Sequence, residues 1–250
     1  MESKYLYTFS ILEPKEEIVE EKTFNEETKE ETIVKRKVVN EVPIEFAIKK
    51  PNRRQIEDAD LEFSVEMSKC IKKGILTKAM LAKKYSDTGG MLSENESQKL
   101  VDLYKEVYEL QNDTIRFEAS NQSDEAKEKN LKNLEKLADV RRQIIDIESN
   151  YRSLFDHTAD SKAQNRILLW YILFLTQVKK SDESNFHPYF KGNDFEDKLE
   201  SYYQKEENPS SEYIKVSRKL STLVAFWFFN QASTFEDFKE LERKIDSGEL

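Results

Sequence analysis

The chain has 250 residues, 36% charged and 38% hydrophobic, with a net charge of −9. That length serves one large domain or two small ones, and the acid excess argues against a surface built to neutralise a phosphate backbone. Five glycines and five prolines are too few for the turns of an all-β fold and suit long helices, while the single cysteine, Cys70, excludes an internal disulfide.

The N-terminus, MESKYLYTF, lacks the charged, apolar and small-residue order of a signal peptide. Strand formers then crowd Lys4 to Leu12, where Tyr5, Leu6, Tyr7, Phe9, Ile11 and Leu12 fall together. Thr32 to Val39 and Val42 to Ile48 read as two further strands. In the second, Val42, Ile44, Phe46 and Ile48 recur with a period of two and share one face, and Pro43 argues for an edge position. Between them Glu13 to Glu31 holds nine glutamates and three lysines, an acidic hairpin tip in which Ile18, Val19 and Phe24 leave room for a ragged strand pair.

Pro51 ends the strands and everything after it reads as helix. Asn52 is a cap for a helix running to Gly74, with Ile56, Ala59, Phe63, Met67, Cys70 and Ile71 at helical spacing. Cys70 lies on its apolar side and reads as core. Thr77 caps a short helix, Lys78 to Tyr85, and Ser93 with Glu96 forms a capping box for the next, on which Leu100, Leu103, Tyr104, Val107, Leu110 and Phe117 recur. Ser123-Asp124-Glu125 opens a helix with a stripe of Leu131, Leu134, Leu137, Ile144, Tyr151, Leu154 and Phe155. The two long helices are expected to pair antiparallel; a dimeric coiled coil, interrupted at Arg141, is the alternative.

Ala163 to Val178 is apolar on nearly every side, yet its longest apolar run, Ile167 to Leu175, is far short of the roughly 20 residues of a membrane span. It is expected to form the middle of a bundle beside the equally apolar Tyr213 to Phe229. Asp194 or Asn193 caps a helix from Phe195 to Tyr203, and Thr234 starts a last one with Phe235, Phe238, Leu241 and Ile245 on one face. The fold class expected is therefore α+β, mainly α: a small N-terminal β-hairpin or sheet module followed by a multi-helix bundle. The expected division is residues 1–50 as a β-rich module with an acidic arm, 51–122 as a helical region and 123–250 as a helical bundle, with 51–250 as one domain the alternative. The candidate boundaries are the polar Ala119–Asp124 stretch and, more weakly, Asp156–Asp160.

No residue pattern carries chemistry. His157, between Asp156 and Asp160, reads as a helix-terminus histidine, and His187 as part of an aromatic loop. Gly89-Gly90 matches no nucleotide-binding loop, and no GxSxG, HExxH or CxxC pattern occurs. No catalytic residue, cofactor or metal is therefore expected. Three features point to binding instead. Lys49, Lys50, Arg53 and Arg54 form a dense basic corner able to meet an acidic partner or a phosphate. Phe226, Trp227, Phe228 and Phe229 occupy four successive helix positions, more sides than one seam covers. The loop Phe186, His187, Tyr189 and Phe190 adds a second aromatic group.

Three stretches, IEFAIKKPNRRQIEDADLEFS, GILTKAMLAKKYSDTGG and HPYFKGNDFEDKLESYY, resemble a protein recurring among the virion and tail-assembly proteins of contractile-tailed bacteriophages. The first is also similar in plan to tail assembly chaperones. The resemblance implies a role in assembling a virion by binding other phage proteins, in the host cytoplasm or within the particle, and carries over no functional residue. The reading reached is a non-enzymatic interaction protein whose partners are other proteins or its own copies, placed in the cytoplasm, without membrane partners. A nucleic-acid-associated regulator using the Lys49–Arg54 corner is the alternative, and a cryptic enzyme the third possibility.

Overall fold

The computed structural model describes residues 4–24, 31–89, 92–118 and 124–249. Two strands open the chain, β1 (Tyr5–Phe24) and β2 (Glu31–Lys49). They pair antiparallel in one register from Tyr7 opposite Ile48 to Phe24 opposite Glu31, with Tyr5 opposite Lys49. Alternation sets the register near the base: Tyr7 and Phe9 are buried, Thr8 and Ser10 exposed. The consecutive Tyr5, Leu6 and Tyr7 are accommodated by a register shift between Tyr5 and Tyr7, a local bulge.

The helices are α1 (Arg53–Lys72), α2 (Lys78–Thr88), α3 (Glu94–Glu118), α4 (Asp124–Asn150), the single turn α5 (Arg152–Phe155) and α6 (Ala159–Leu175). Strands β3 (Thr176–Lys179) and β4 (His187–Pro188) follow, then α7 (Phe195–Glu207), α8 (Ser211–Phe228) and α9 (Phe235–Ser247). The expected caps are in place. The Asn52 side chain accepts from Gln55 N at 2.9 Å, and Thr77, Ser93, Asp194 and Thr234 cap α2, α3, α7 and α9. Gly74, at φ 78°, ends α1 where Ile75 N reaches back to Cys70 O, and Cys70 is buried.

The class is α+β, mainly α, but the order is not strands and then helices only. The apolar run ends as helix at Leu175 and passes directly into β3, which pairs Thr176–Lys179 with Ile48–Glu45; β4 pairs with β3. Thr176 is β-branched, its hydroxyl donates to Ile172 O at 2.7 Å, and β2 offers an open edge, so extended backbone wins there. The sheet order is β1-β2-β3-β4, antiparallel throughout. β2 is thus interior at its base, where Phe46, Ala47 and Ile48 are fully buried. Pro43 lies beyond the reach of β3, so the edge reading holds for that position and not for the strand.

The chain forms two compact units, residues 1–59 with 167–250, and residues 60–166. This differs from boundaries at 50 and 122, because the N-terminal sheet is completed by residues from the C-terminal third. The divisions fall inside α1 and α6. Ala119–Ser123 lies outside the described residues, and Asp156–Asp160 lies inside the second unit. In the first unit, Tyr7 stacks on Phe238 and Phe9 on Phe46, Phe46 meets Tyr189 edge-on, and Tyr171 of α6 meets Trp227 and Phe228 of α8, as their shared apolarity predicts. In the second, Leu100, Leu103 and Leu110 of α3 pack with Leu137, Val140 and Ile144 of α4. The antiparallel order is visible in the cross-links: Glu96 accepts from Tyr151, and Glu148 from Tyr104.

Candidate interaction site

Beyond Glu13 and Val42 the two strands of the hairpin go on pairing with each other. The register continues to Phe24 and Glu31, and no third strand pairs with it among the described residues. The base of this extension is held by α8. The Lys215 ammonium donates to Leu12 O at 2.8 Å and pairs with Glu13 at 3.0 Å, while the Ser211 hydroxyl reaches Glu13 at 3.3 Å. Beside it, where β3 turns away from β2, lies an open cleft of about 440 Å³. Pro14, Val42 and Ile44 line it from the hairpin, Lys180 and Asp182 from the turn after β3, and Glu212 from α8.

Between residues 16–21 and 34–39 the paired strands differ in charge. Glu16, Glu17, Glu20 and Glu21 belong to β1, and Lys35, Arg36 and Lys37 to β2. Of these, Glu20 and Lys35 are direct register partners; Glu21 faces Val34, and Arg36 faces Val19. The extension is therefore acidic along one strand and basic along the other. The acidic arm read from composition is in fact strand up to Phe24, and residues 25–30 of its tip lie outside the described residues.

The basic corner follows at the other end of β2. Lys49 is half-buried and Lys50 exposed, with Lys50 N donating to Lys4 O at 3.1 Å. Arg53 pairs with Glu57 at 3.0 Å on the surface of α1, and Arg54 is exposed.

The aromatic groups are largely consumed by the fold. Tyr189 and Phe190 are core residues, at 5% and 2% exposure, so this part of the loop is closed to a partner. The Lys205 ammonium lies 4.3 Å from the Tyr189 ring centre, and burial followed by the nearby Glu212 pushes the Tyr189 hydroxyl above its usual range. Phe186 packs against Tyr5 and Lys179, and His187 contacts Glu183 at 3.1 Å. Phe226, Trp227 and Phe228 are half-buried, and only Phe229, at 50%, is exposed among the four. Their spread over all sides of α8 is met by several neighbours: Trp227 and Phe228 rest on Tyr171, while Phe226 borders Ala232 and Leu241.

Two polar knots were not visible in the sequence because their members lie far apart in it. In the first unit, Lys219 is buried, pairs with Glu242 at 3.0 Å and Asp246 at 2.7 Å, and lies 5.3 Å from the Phe9 ring centre. The Tyr7 hydroxyl donates to the same Glu242 at 2.5 Å, and burial, with Glu242 second, pushes its pKa up. In the second unit, Lys78 and the Tyr104 hydroxyl both hold Glu148, and Lys78 N donates to Asp160 at 2.7 Å. Both knots are closed structural ties. Among the described residues the Glu96, Asp237 and Glu240 carboxyls are held below their usual range. Glu96 is held by the Ser93 and Tyr151 hydroxyls, Asp237 by the backbone and hydroxyls of Ser233 and Thr234, and Glu240 by Lys244. These are caps and a surface ion pair. Among the described residues no three His, Cys, Asp or Glu side chains gather as a metal site, and no helix is long and apolar enough to cross a membrane. Comparison of the chain with protein-family models, curated proteins and solved structures finds no match.

Proposed function

We propose that this chain is a non-catalytic protein that binds other proteins through the far half of its hairpin. Following the resemblance, its setting is the assembly of a contractile-tailed phage, as a tail or virion assembly factor or a minor structural component. The observation that carries the binding role is the self-paired extension from Pro14 to Phe24 and Glu31 to Glu41, which spans about 35 Å at about 3.3 Å per residue. A two-stranded ribbon is marginal alone and offers hydrogen-bonding groups along both outer edges. A carboxylate-rich strand beside a cation-rich one discourages indiscriminate pairing and selects a partner by charge. The cleft at its root, beside the open edge of β2, suits an extended segment laid against the strand.

The test replaces residues 14–41 by a two-residue Asn-Gly turn between the register partners Glu13 and Val42, which keeps the base of the hairpin. Tagged full-length and shortened chains are then produced together with the other proteins of the particle. The expected result is a shortened chain with unchanged near-ultraviolet circular dichroism that no longer co-purifies with its partner. A folded shortened chain that retains every partner overturns the proposal. Tight binding of a DNA or RNA oligomer that falls steeply with added salt would transfer the role to the Lys49–Arg54 corner.

A further inference from the structure

Helix α4 carries two apolar stripes, and the fold of one chain uses only one of them. Leu137, Val140 and Ile144 are buried against α3. Leu131, Leu134 and Ile145 are exposed at 58%, 43% and 62%, with exposed Ala138 between them. At about 100° per residue, this second stripe is rotated by roughly a third of a turn from the buried one. Its members are spaced three, four and seven residues apart, the pattern of a helix-pairing seam, with Arg141 at the remaining seam position. By spacing alone Leu131 and Leu134 belong with the core stripe; the position of α3 leaves them outside.

The flanking charges identify what covers this face. Glu135 and Arg142 are exposed, one heptad apart along the same side of the stripe. A second α4 laid antiparallel, with Leu134 opposite Ile145 of the second copy, sets Ala138 opposite Arg141 of the second copy. It also brings Glu135 within about two residues of Arg142 of the second copy, on the same side of the seam. Two-fold symmetry makes each of these contacts twice. The small Ala138 leaves room for the Arg141 stem to lie across the seam with its head in water. A parallel pairing in register would instead set Arg141 against Arg141 of the second copy, a like-charge contact in the seam.

We infer that the exposed face of α4 is a homodimer interface, closed by a second copy of this chain lying antiparallel about a two-fold axis between Ala138 and Arg141. The seam is shorter than a standard protein interface, so the dimer is a concentration-dependent one. It is independent of the hairpin extension and of whatever that extension binds.

The test is sedimentation equilibrium of the full-length chain over a wide concentration range. The wild-type chain is expected to move from monomer to dimer. Leu134→Lys should raise the dissociation constant roughly tenfold or more, the loss expected for one well-buried leucine exchanged for a charge. Glu135→Arg should weaken the dimer, and adding Arg142→Glu should restore it. All these positions are exposed, and unchanged circular dichroism checks that each variant folds. A chain that remains monomeric throughout overturns the inference. So does an oligomer indifferent to Leu134→Lys, or a Glu135→Arg defect that Arg142→Glu fails to rescue.

Discussion

From Tyr5 to Leu12 the first strand lies in a sheet with helices packed on one face, and buried Tyr7 and Phe9 alternate with exposed Thr8 and Ser10. From Glu13 to Phe24 the same strand continues in the same register with β2 as its only strand partner among the described residues. The pairing hydrogen bonds are common to both halves, so they do not explain the difference. What differs is burial. The near half has Phe46 stacked on Phe9 and edge-on to Tyr189, and Tyr7 stacked on Phe238 of α9. The far half has the exposed Val39 and Asn40 and a high density of charge. Strand pairing alone extends a ribbon, and a body forms only where apolar side chains find a second layer.

The largest expected effect tests this directly. Phe46→Ala, at a fully buried position, should cost about 3–5 kcal/mol of stability, the range for deleting a core aromatic. Val39→Ala, at 59% exposure in the far half, should stay within about 0.5 kcal/mol. Urea unfolding measures both, and similar values for the two would erase the distinction. Next is Lys219→Ala, which removes the cation between Glu242 and Asp246 and leaves Glu242 with the Tyr7 hydroxyl alone. A broken, largely buried pair costs about 3 kcal/mol. Lys219→Met, which keeps a stem over Phe9, should cost less, and the same unfolding experiment separates the two.

Much of the local structure was legible in the sequence. The period-two run of Ile44, Phe46 and Ile48 and the cap residues Asn52, Thr77, Ser93, Asp194 and Thr234 are local signals, and each acts locally in the fold. Strand β3 was not legible. Thr176–Lys179 follows a helical apolar run without a turn, and only the open edge of β2, more than a hundred residues earlier, makes it extended. The units were illegible for the same reason, since residues 1–59 close on 167–250. In the candidate site, composition showed the acidity of the arm, but its length as a ribbon depends on register. The aromatic loop and the α8 run were visible as apolar surplus, yet helical spacing does not tell a core aromatic such as Phe190 from an exposed one such as Phe229.

A smaller effect concerns pH. Burial and Glu242 raise the Tyr7 pKa, so the folded chain keeps that proton after the unfolded chain has begun to lose it near pH 10. A raised folded-state pKa contributes stability that is complete below the unfolded pKa and is lost as pH rises above it. Stability should therefore fall on going above about pH 10. Tyr7→Phe should make that fall shallower, while costing about 1 kcal/mol at neutral pH for the lost hydrogen bond. Equal alkaline slopes in the two proteins would show that Tyr7 does not tie the near half to α9 in this way.

The smallest effect locates the border between the halves. Lys215 fastens α8 to the hairpin at Leu12 O and Glu13, and its side chain is 43% exposed. Solvent screening limits such a pair to under about 1 kcal/mol, so Lys215→Ala should barely move the unfolding midpoint. Its consequence is local. The near half is held by aromatic packing that the substitution leaves intact, whereas Leu12 O loses its donor from α8 and Glu13 keeps only the longer contact to the Ser211 hydroxyl. Amide hydrogen exchange should accelerate roughly two- to fivefold at Ile11, Leu12 and Glu13 and remain unchanged at Thr8, Phe9 and Phe46. Acceleration spread evenly from Tyr7 to Glu13 would mean that α8 supports the strand along its whole length, and that the hairpin has no border at Glu13.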